Sequence, residues 1–223
     1  MKTNPSQIIL LLAILAVAAS SGQAGPIVYS VVINTAAING TPGYYLDLQL
    51  NPGDATSQPI TATITSFAVS GGSMDASPSP MGAVTGTLPS NVTLHNSTPI
   101  NSYFDGFTPG TAITFLLTLS GPALDSPDGL ASAGSTFAVL MYDSSFNPVL
   151  TADPNGVLGS IDIGLDGLPM LSVFPQAGTQ PSAIVLTPYA DPPGPPGAVP
   201  EPGTLALVGI ALAALLLHRR SRR

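Results

Sequence analysis

The sequence predicts an all-β protein: an antiparallel, jelly-roll-like β-sandwich flanked by an N-terminal signal helix and a C-terminal transmembrane helix. Three observations predict this class. Apolar and polar residues alternate along several short runs, as they do in half-buried strands. Turn-forming pairs such as Asn39-Gly40 and Asp166-Gly167 separate these runs. Two longer apolar runs lie near the chain ends, outside the alternating pattern.

The individual strands follow from the alternation. In the run 44–50 the even-numbered side chains are apolar and face the core, whereas Tyr45, Asp47 and Gln49 face outward. In the run 111–119 the odd-numbered apolar side chains face the core, and in the run 137–142 both faces are apolar, as in a central strand. Within 60–69 the apolar phase changes, which predicts a bulge near Thr65. The remaining predicted strands are 27–33, 92–95, 161–165 and 184–187.

The charge pattern excludes several functions. The chain has 223 residues, with five Lys or Arg against twelve Asp or Glu, a net charge of −7 and no Cys. No Lys or Arg lies between Thr3 and His218. Nucleic-acid binding, which requires cations, is therefore excluded, as are phosphate sites built on Lys or Arg. Without Cys, the fold contains no disulfide.

The first 24 residues have the pattern of a secretory signal peptide. Lys2 precedes an apolar run over 8–19, and small residues follow as far as Ala24. We expect signal peptidase to cleave after Ala24. Cleavage after Ser20 and an uncleaved N-terminal anchor are the alternatives, although the run is shorter than the ~20 residues that span a membrane.

The other apolar run, 204–217, is predicted to be a transmembrane helix. At 1.5 Å per residue it is about 21 Å long, shorter than the ~30 Å hydrocarbon core, so it suits a temporary tether. A permanent single-pass anchor is the alternative. The basic tail 218–223 stays on the cytoplasmic side and stops transfer; its cations are Arg219, Arg220, Arg222 and Arg223. A Pro/Gly-rich linker, 188–198, precedes this region and is predicted to form a polyproline-type stalk.

The sequence Pro200-Glu201-Pro202, followed by the apolar run and the Arg cluster, resembles a PEP-CTERM sorting signal over residues 199–223. The resemblance implies recognition by an exosortase, a membrane enzyme of certain Gram-negative bacteria, with Pro200, Glu201 and Pro202 as recognised residues of the substrate. It further implies a transient single-pass inner-membrane anchor, then the cell surface or extracellular matrix. Proteins with this signal are associated with exopolysaccharide and biofilm.

Residues 25–187 are predicted to form one β-sandwich ectodomain. The segments 43–53, 103–107 and 115–124 resemble those of an uncharacterised group of PEP-CTERM ectodomains. That resemblance implies a single folding unit and brings no assigned activity.

The ectodomain lacks the residue sets of common enzymes. His95 is its one histidine, and there is no Gly-x-Ser-x-Gly sequence. One His also excludes the usual zinc ligand sets. Glycoside hydrolysis needs two carboxylates of separated pKa, but the domain has no basic side chain to keep one ionised and no Trp to stack a sugar. We therefore expect no enzymatic activity, and a secreted hydrolase is the last alternative.

Calcium is the one cofactor that the aspartates suggest. Asp162 and Asp166, followed by Gly167, match the start of a calcium loop, but Gly164 and Val173 depart from the pattern. Turn formation is the preferred interpretation of both aspartates.

The first functional prediction is an exported, non-catalytic surface or matrix protein. Its partners would be signal peptidase and exosortase during processing, the membrane through the C-terminal helix, and exopolysaccharide. The alternative is a binding module for calcium or polysaccharide that uses loop aspartates and exposed tyrosines. The candidate tyrosines are Tyr29, Tyr44, Tyr45, Tyr103, Tyr142 and Tyr189.

Overall fold

The computed structural model describes residues 25–178 and 180–189, so the predicted signal helix, transmembrane helix and sorting signal lie outside the described residues. No helix within these two ranges is long and apolar enough to cross a membrane. The strands are β1 (Ile27–Asn34), β2 (Tyr44–Pro52), β3 (Thr61–Ser70), β4 (Ser73–Met74), β5 (Ser79–Met81), β6 (Val84–Gly86), β7 (Val92–His95), β8 (Ser102–Thr108), β9 (Ala112–Ser120), β10 (Ser135–Tyr142), β11 (Val157–Ile163), β12 (Pro169–Val173) and β13 (Ile184–Pro188). A 3₁₀ turn, Ala36–Ile38, and a one-turn helix, Pro122–Asp125, connect strands.

The strands form two antiparallel sheets. The first sheet has the order β13-β1-β9-β3-β7-β6, and the second has the order β12-β11-β10-β2-β8-β4, with β5 also paired to β8. The predicted all-β class with two antiparallel sheets is confirmed. Strands β1 to β3 and β7 to β10 alternate between the two sheets, so several connections cross from one sheet to the other.

The core lies between the inward faces of the two sheets. Leu46, Leu48 and Leu50 of β2 are fully buried, and Phe115 and Leu117 of β9 meet them from the other sheet within one hydrophobic cluster. The alternation had placed all five on the core side. Strand β10 pairs with β2 on one side and β11 on the other, so its predicted central position is confirmed. Each such buried side chain contributes about 1.5–3 kcal/mol.

The predicted bulge is present in β3. Its pairing with β9 shifts register between Thr65 and Ala68, and Ser66 lies in the left-handed region at φ 54°. The extra residue turns Phe67 to the same side as Ile64, and both are buried. The change of apolar phase in the sequence thus reflects a bulge that places both Ile64 and Phe67 in the core.

Other strands differ from the predictions. Gly164 and Leu165 lie in a turn, so the predicted strand 161–165 is wrong at its end, and β11 instead begins at Val157. Gly159 and Ser160 weaken the strand signal at that start. The sequence also missed β8, where a buried Asp105 interrupts the apolar pattern, and β12, which begins with a proline. Strand β13 ends at Pro188, the first residue assigned to the linker.

Candidate functional site

The two aspartates of the calcium-loop alternative, Asp162 and Asp166, are hydrogen-bonded to their own fold. Asp162 of β11 accepts a hydrogen bond from the Thr136 hydroxyl on β10, at 2.6 Å. Asp166 lies in the turn between β11 and β12 and accepts one from the backbone N–H of Leu168, at 3.0 Å. Across residues 25–178 and 180–189, no group of three or more His, Cys, Asp or Glu side chains is placed to hold a metal ion. Turn formation stays the preferred interpretation of Asp162 and Asp166, and calcium binding there stays an untested alternative.

Further loop aspartates also shape turns. The Oδ1 atom of Asp153 accepts the backbone N–H groups of Asn155 and Val157. Asp128 accepts the N–H of Leu130 in the same way. These bonds follow the pattern by which aspartate side chains stabilise turns.

Asp54 joins two loops. One carboxylate oxygen accepts hydrogen bonds from the backbone and hydroxyl of Ser132 and from the N–H of Ala133, and the other accepts two from Thr56. The Ser132 hydroxyl and then the Thr56 groups hold the pKa of Asp54 well below its usual range. A cleft of about 380 Å³ lies beside it, lined in part by Pro59 and Pro99. Both carboxylate oxygens of Asp54 thus accept hydrogen bonds from groups of the fold and do not serve a ligand site in the cleft.

His95, the one histidine among the residues that the structure describes, takes part in strand pairing. Nδ1 of His95 lies 3.0 Å from the hydroxyl of Thr61, directly opposite it on β3. Both residues are at the surface. This is a cross-strand polar pair of the kind that stabilises sheets.

The tyrosines divide between core and surface. Tyr29 and Tyr103 are buried, and the Tyr142 hydroxyl donates to the backbone oxygen of Asn155 at 2.6 Å. Tyr45 lies on the outer face of the second sheet and is half-buried there. Of the predicted sugar-stacking tyrosines, Tyr45 therefore joins a wider surface feature.

That feature is a cluster of three aromatic rings, here called the aromatic trio: Tyr45 of β2, Phe104 of β8 and Phe146 of the loop after β10. The ring centroid of Tyr45 is 4.9 Å from that of Phe104 and 5.2 Å from that of Phe146. Phe104 and Phe146 are 6.2 Å apart, and no pair of planes is tilted by more than 26°. Phe146 is 61% exposed. Tyr45 therefore stacks against both other rings, and Phe146 is the most exposed residue of the three.

A polar ladder runs along the same outer face: Ser102, Asp47, Gln49 and Asn51. The Ser102 hydroxyl donates to one oxygen of Asp47, and the Gln49 amide donates to the other, both at 2.6 Å. The Asn51 amide donates to Gln49 at 2.8 Å. Because Asp47 pairs with Phe104 across β2 and β8, the ladder adjoins the aromatic trio.

Asp47 is an unusually buried carboxylate for an outer sheet face. It is 6% exposed, and no Lys or Arg between Thr3 and His218 exists to pair with it. Burial raises the pKa of Asp47, while the hydrogen bonds from Ser102 and Gln49 act in the opposite direction. The sequence predicted that Asp47 faces outward but not that it is covered.

A second buried carboxylate lies in the interior. Asp105 of β8 is 1% exposed and accepts hydrogen bonds from the Tyr103 hydroxyl, at 3.2 Å, and the Ser77 N–H, at 3.3 Å. Burial raises the pKa of Asp105 and raises the pKa of Tyr103 to about 12. This pair fixes the chain before β5 against β8.

Sequence reasoning missed two members of the aromatic trio. It placed Tyr45 on the outward face of β2, but β8, which carries Phe104, was not predicted as a strand. Phe146 lies in the segment between two predicted strands, where apolar and polar residues do not alternate. Its proximity to Tyr45 depends on the path of the loop, for which the sequence carries no alternating signal.

Comparison with known proteins identifies the C-terminal region. A family model for the PEP-CTERM protein-sorting motif matches residues 198–223. The chain thus carries the PEP-CTERM sorting motif, which indicates an exported, exosortase-sorted protein and implies the transient C-terminal membrane anchor of such proteins in Gram-negative bacteria. The match includes the predicted recognition residues Pro200, Glu201 and Pro202 and the Arg tail, which lie outside the described residues. No curated protein and no solved structure matches the chain.

Proposed function

We propose that this protein is a non-catalytic component of the cell surface or extracellular matrix, associated with exopolysaccharide in biofilm. The sorting motif at 198–223 carries the proposal, because it indicates an exported protein that is sorted by an exosortase. What remains after processing is the two-sheet domain with its linker. Its final location would therefore be outside the cell, at the surface or in the matrix.

The state of the polar residues supports a role without catalysis. The loop carboxylates described above accept hydrogen bonds from their own turns, and His95 pairs with Thr61. A general base or nucleophile needs a partner poised towards a substrate position. A screen for glycosidase and esterase activity on the secreted protein tests this part, and turnover abolished by His95→Ala would contradict it.

The charge of the domain supports an extracellular, structural role. Ten Asp and no Lys or Arg lie between residues 25 and 189. All but Asp47 and Asp105 are at least partly exposed, and their net negative charge keeps copies apart and soluble at neutral pH. It also disfavours binding to acidic partners.

The experiment that tests the proposal follows the protein by cell fractionation. In the wild-type strain we expect it in the surface and matrix fractions, and in a strain without exosortase we expect it in the inner membrane. The Pro200→Ala/Pro202→Ala variant should also remain in the membrane. The matched control is Pro192→Ala/Pro195→Ala in the linker, which should reach the surface normally. Wild-type protein that stays in the inner membrane, or that is absent from surface and matrix, contradicts the proposal.

The alternative of a binding module is favoured by one observation. The aromatic trio exposes stacked rings beside hydrogen-bonding side chains, an arrangement suited to a sugar chain. This alternative is compatible with a matrix protein, since it names how the domain would be retained there. Calcium binding rests on Asp162 and Asp166 alone and is tested separately below.

A further inference from the structure

We propose that the outer face of the second sheet binds a neutral polysaccharide chain, with the aromatic trio stacking on sugar rings and Gln49 of the polar ladder binding their hydroxyl groups. The inference rests on the proposed association with exopolysaccharide and gives it a site. Both groups of residues lie on strands β2 and β8 or on the loop that packs over them, so they form one continuous surface.

The aromatic trio has a free ring face to offer. Phe146 stacks on Tyr45 on one side, with planes only 8° apart, and the residue remains 61% exposed. Sugar rings present C–H groups on one face, and these pack against an aromatic ring through dispersion and the ring quadrupole. An exposed ring of this size in a monomer is otherwise an unfavourable contact with water.

The loop that presents Phe146 is held in place before any ligand binds. The Asp143 carboxylate accepts hydrogen bonds from the N–H groups of Ser145 and Asn147 and from the Asn147 amide. Phe146 itself has φ 60°, a left-handed conformation that is rare and strained for a bulky residue. The strain is tolerated because the turn and the stacking on Tyr45 fix the ring. A preorganised ring loses little entropy on binding.

The polar ladder has hydrogen-bonding capacity left over. Gln49 uses one N–H on Asp47 and one lone pair on Asn51, which leaves its second N–H and a lone pair free. Its side chain is half-buried, so it is ordered yet reachable. A side-chain amide of this kind can both donate to and accept from sugar hydroxyls.

The negative charges on this face favour neutral polysaccharides over acidic ones. The face carries the carboxylates of Asp47 and Asp162, and the domain has no Lys or Arg to offset them. A uronic-acid chain would bring like charges together in partly desolvated surroundings, which is unfavourable. The ligand class that fits is therefore an uncharged glycan.

Affinity gel electrophoresis of the exported protein, purified from its host, tests the inference. The gels contain dextran, hydroxyethylcellulose, neutral exopolysaccharide extracted from the producing bacterium, or alginate as the acidic chain. We expect at least one neutral polysaccharide to retard the wild type and alginate not to. Phe146→Ala should raise the Kd about tenfold or more, and Gln49→Ala should weaken binding in the same gel. Leu168→Ala is the matched control, since Leu168 is 64% exposed on a distant turn, and it should bind like the wild type.

Three results would overturn the inference: no retardation by any neutral polysaccharide, retardation by alginate equal to that by neutral chains, or full binding by Phe146→Ala. Thermal melting establishes that each variant is folded. Cell fractionation of Phe146→Ala separates this inference from the proposed function. If wild type and variant both reach the matrix and neither binds a neutral glycan, the site is wrong and the proposed function stands. If the wild type does not leave the membrane, the proposed function itself has failed.

Discussion

The amide of Asn96 and the hydroxyl of Ser135 join the two sheets: Nδ2 of Asn96 donates to Oγ of Ser135 at 2.8 Å. Asn96 follows β7 of the first sheet, and Ser135 begins β10 of the second. The same side chain donates to the Gln58 carbonyl at 2.8 Å and accepts from the Ile60 N–H at 3.0 Å. Because Asn96 is buried and fully hydrogen-bonded, the sequence Asn96-Ser97-Thr98 is a structural element and not an accessible glycosylation site.

Replacing Asn96 with Ala should therefore destabilise the domain. The change leaves the Ile60 N–H and the Ser135 hydroxyl buried without their partner, which costs about 2–3 kcal/mol. Denaturant unfolding of the secreted protein measures this free energy. Asn91→Ala is the control, since Asn91 is exposed and begins another formal sequon, and it should change stability by less than about 0.5 kcal/mol. Equal stability of the two variants would disprove the role of Asn96.

The buried carboxylate of Asp47 predicts a pH dependence. Burial raises its pKa in the folded state, whereas the unfolded chain has a value of about 3.9. The unfolded state thus releases the proton first as pH rises, and ionised Asp47 destabilises the fold increasingly until pH passes the folded pKa. Asp47→Asn should therefore gain stability relative to the wild type from about pH 4 upward and then reach a plateau.

Asp143→Asn should change stability with pH in the opposite direction to Asp47→Asn. Hydrogen bonds from Asn147 and Ser145 lower the pKa of Asp143, so its contribution is present above the unfolded pKa and is lost as pH falls through the folded pKa. This variant should lose stability relative to the wild type at neutral pH and approach it in acid. Unfolding measured between pH 3 and pH 8 compares both variants. A difference between Asp47→Asn and the wild type that is constant over this range would refute the burial argument.

The bulge in β3 makes a prediction about deletions. Removing Ser66 takes out the extra residue, so Ile64 and Phe67 keep the same face and the protein should still fold. Removing Thr63, the matched control, moves Ile64 off the core side and should cost about 2–5 kcal/mol. Circular dichroism and thermal melting compare the two deletions. A Ser66 deletion as damaging as the Thr63 deletion would show that the extra residue has another role.

Thermal melting tests the calcium hypothesis. Asp162 and Asp166 each accept a hydrogen bond within the fold, so we expect equal melting temperatures with excess calcium and with chelator. A higher melting temperature with calcium that disappears in Asp166→Asn would establish a calcium site at the β11–β12 turn. A shift that persists in Asp166→Asn would place the ion elsewhere.

The sequence predicted best where one simple pattern operates. Strict alternation identified the inward faces of β2 and β9, and a change of phase located the bulge in β3. Alternation failed to predict strands that contain polar or small residues, as with Asp105 in β8 and Gly159 in β11. These residues are accommodated by tertiary contacts, such as the hydrogen bond from Tyr103 to Asp105, that no local pattern reveals.

The candidate binding surface was predictable only in part. Alternation placed Tyr45, Asp47 and Gln49 on one outward face. The burial of Asp47 and the stacking of Phe146 arise from a neighbouring strand and a loop far along the chain. The sorting signal, in contrast, could be predicted from the sequence alone, because all of its parts lie in one contiguous segment.

Export followed by trimming at both ends is the central claim, and intact-mass spectrometry of the mature protein from its native host tests it most directly. We expect a polypeptide that begins at Gly25, after cleavage at Ala24, and that lacks the C-terminal helix and the tail 219–223. A mature population that keeps residues 219–223 would contradict the account.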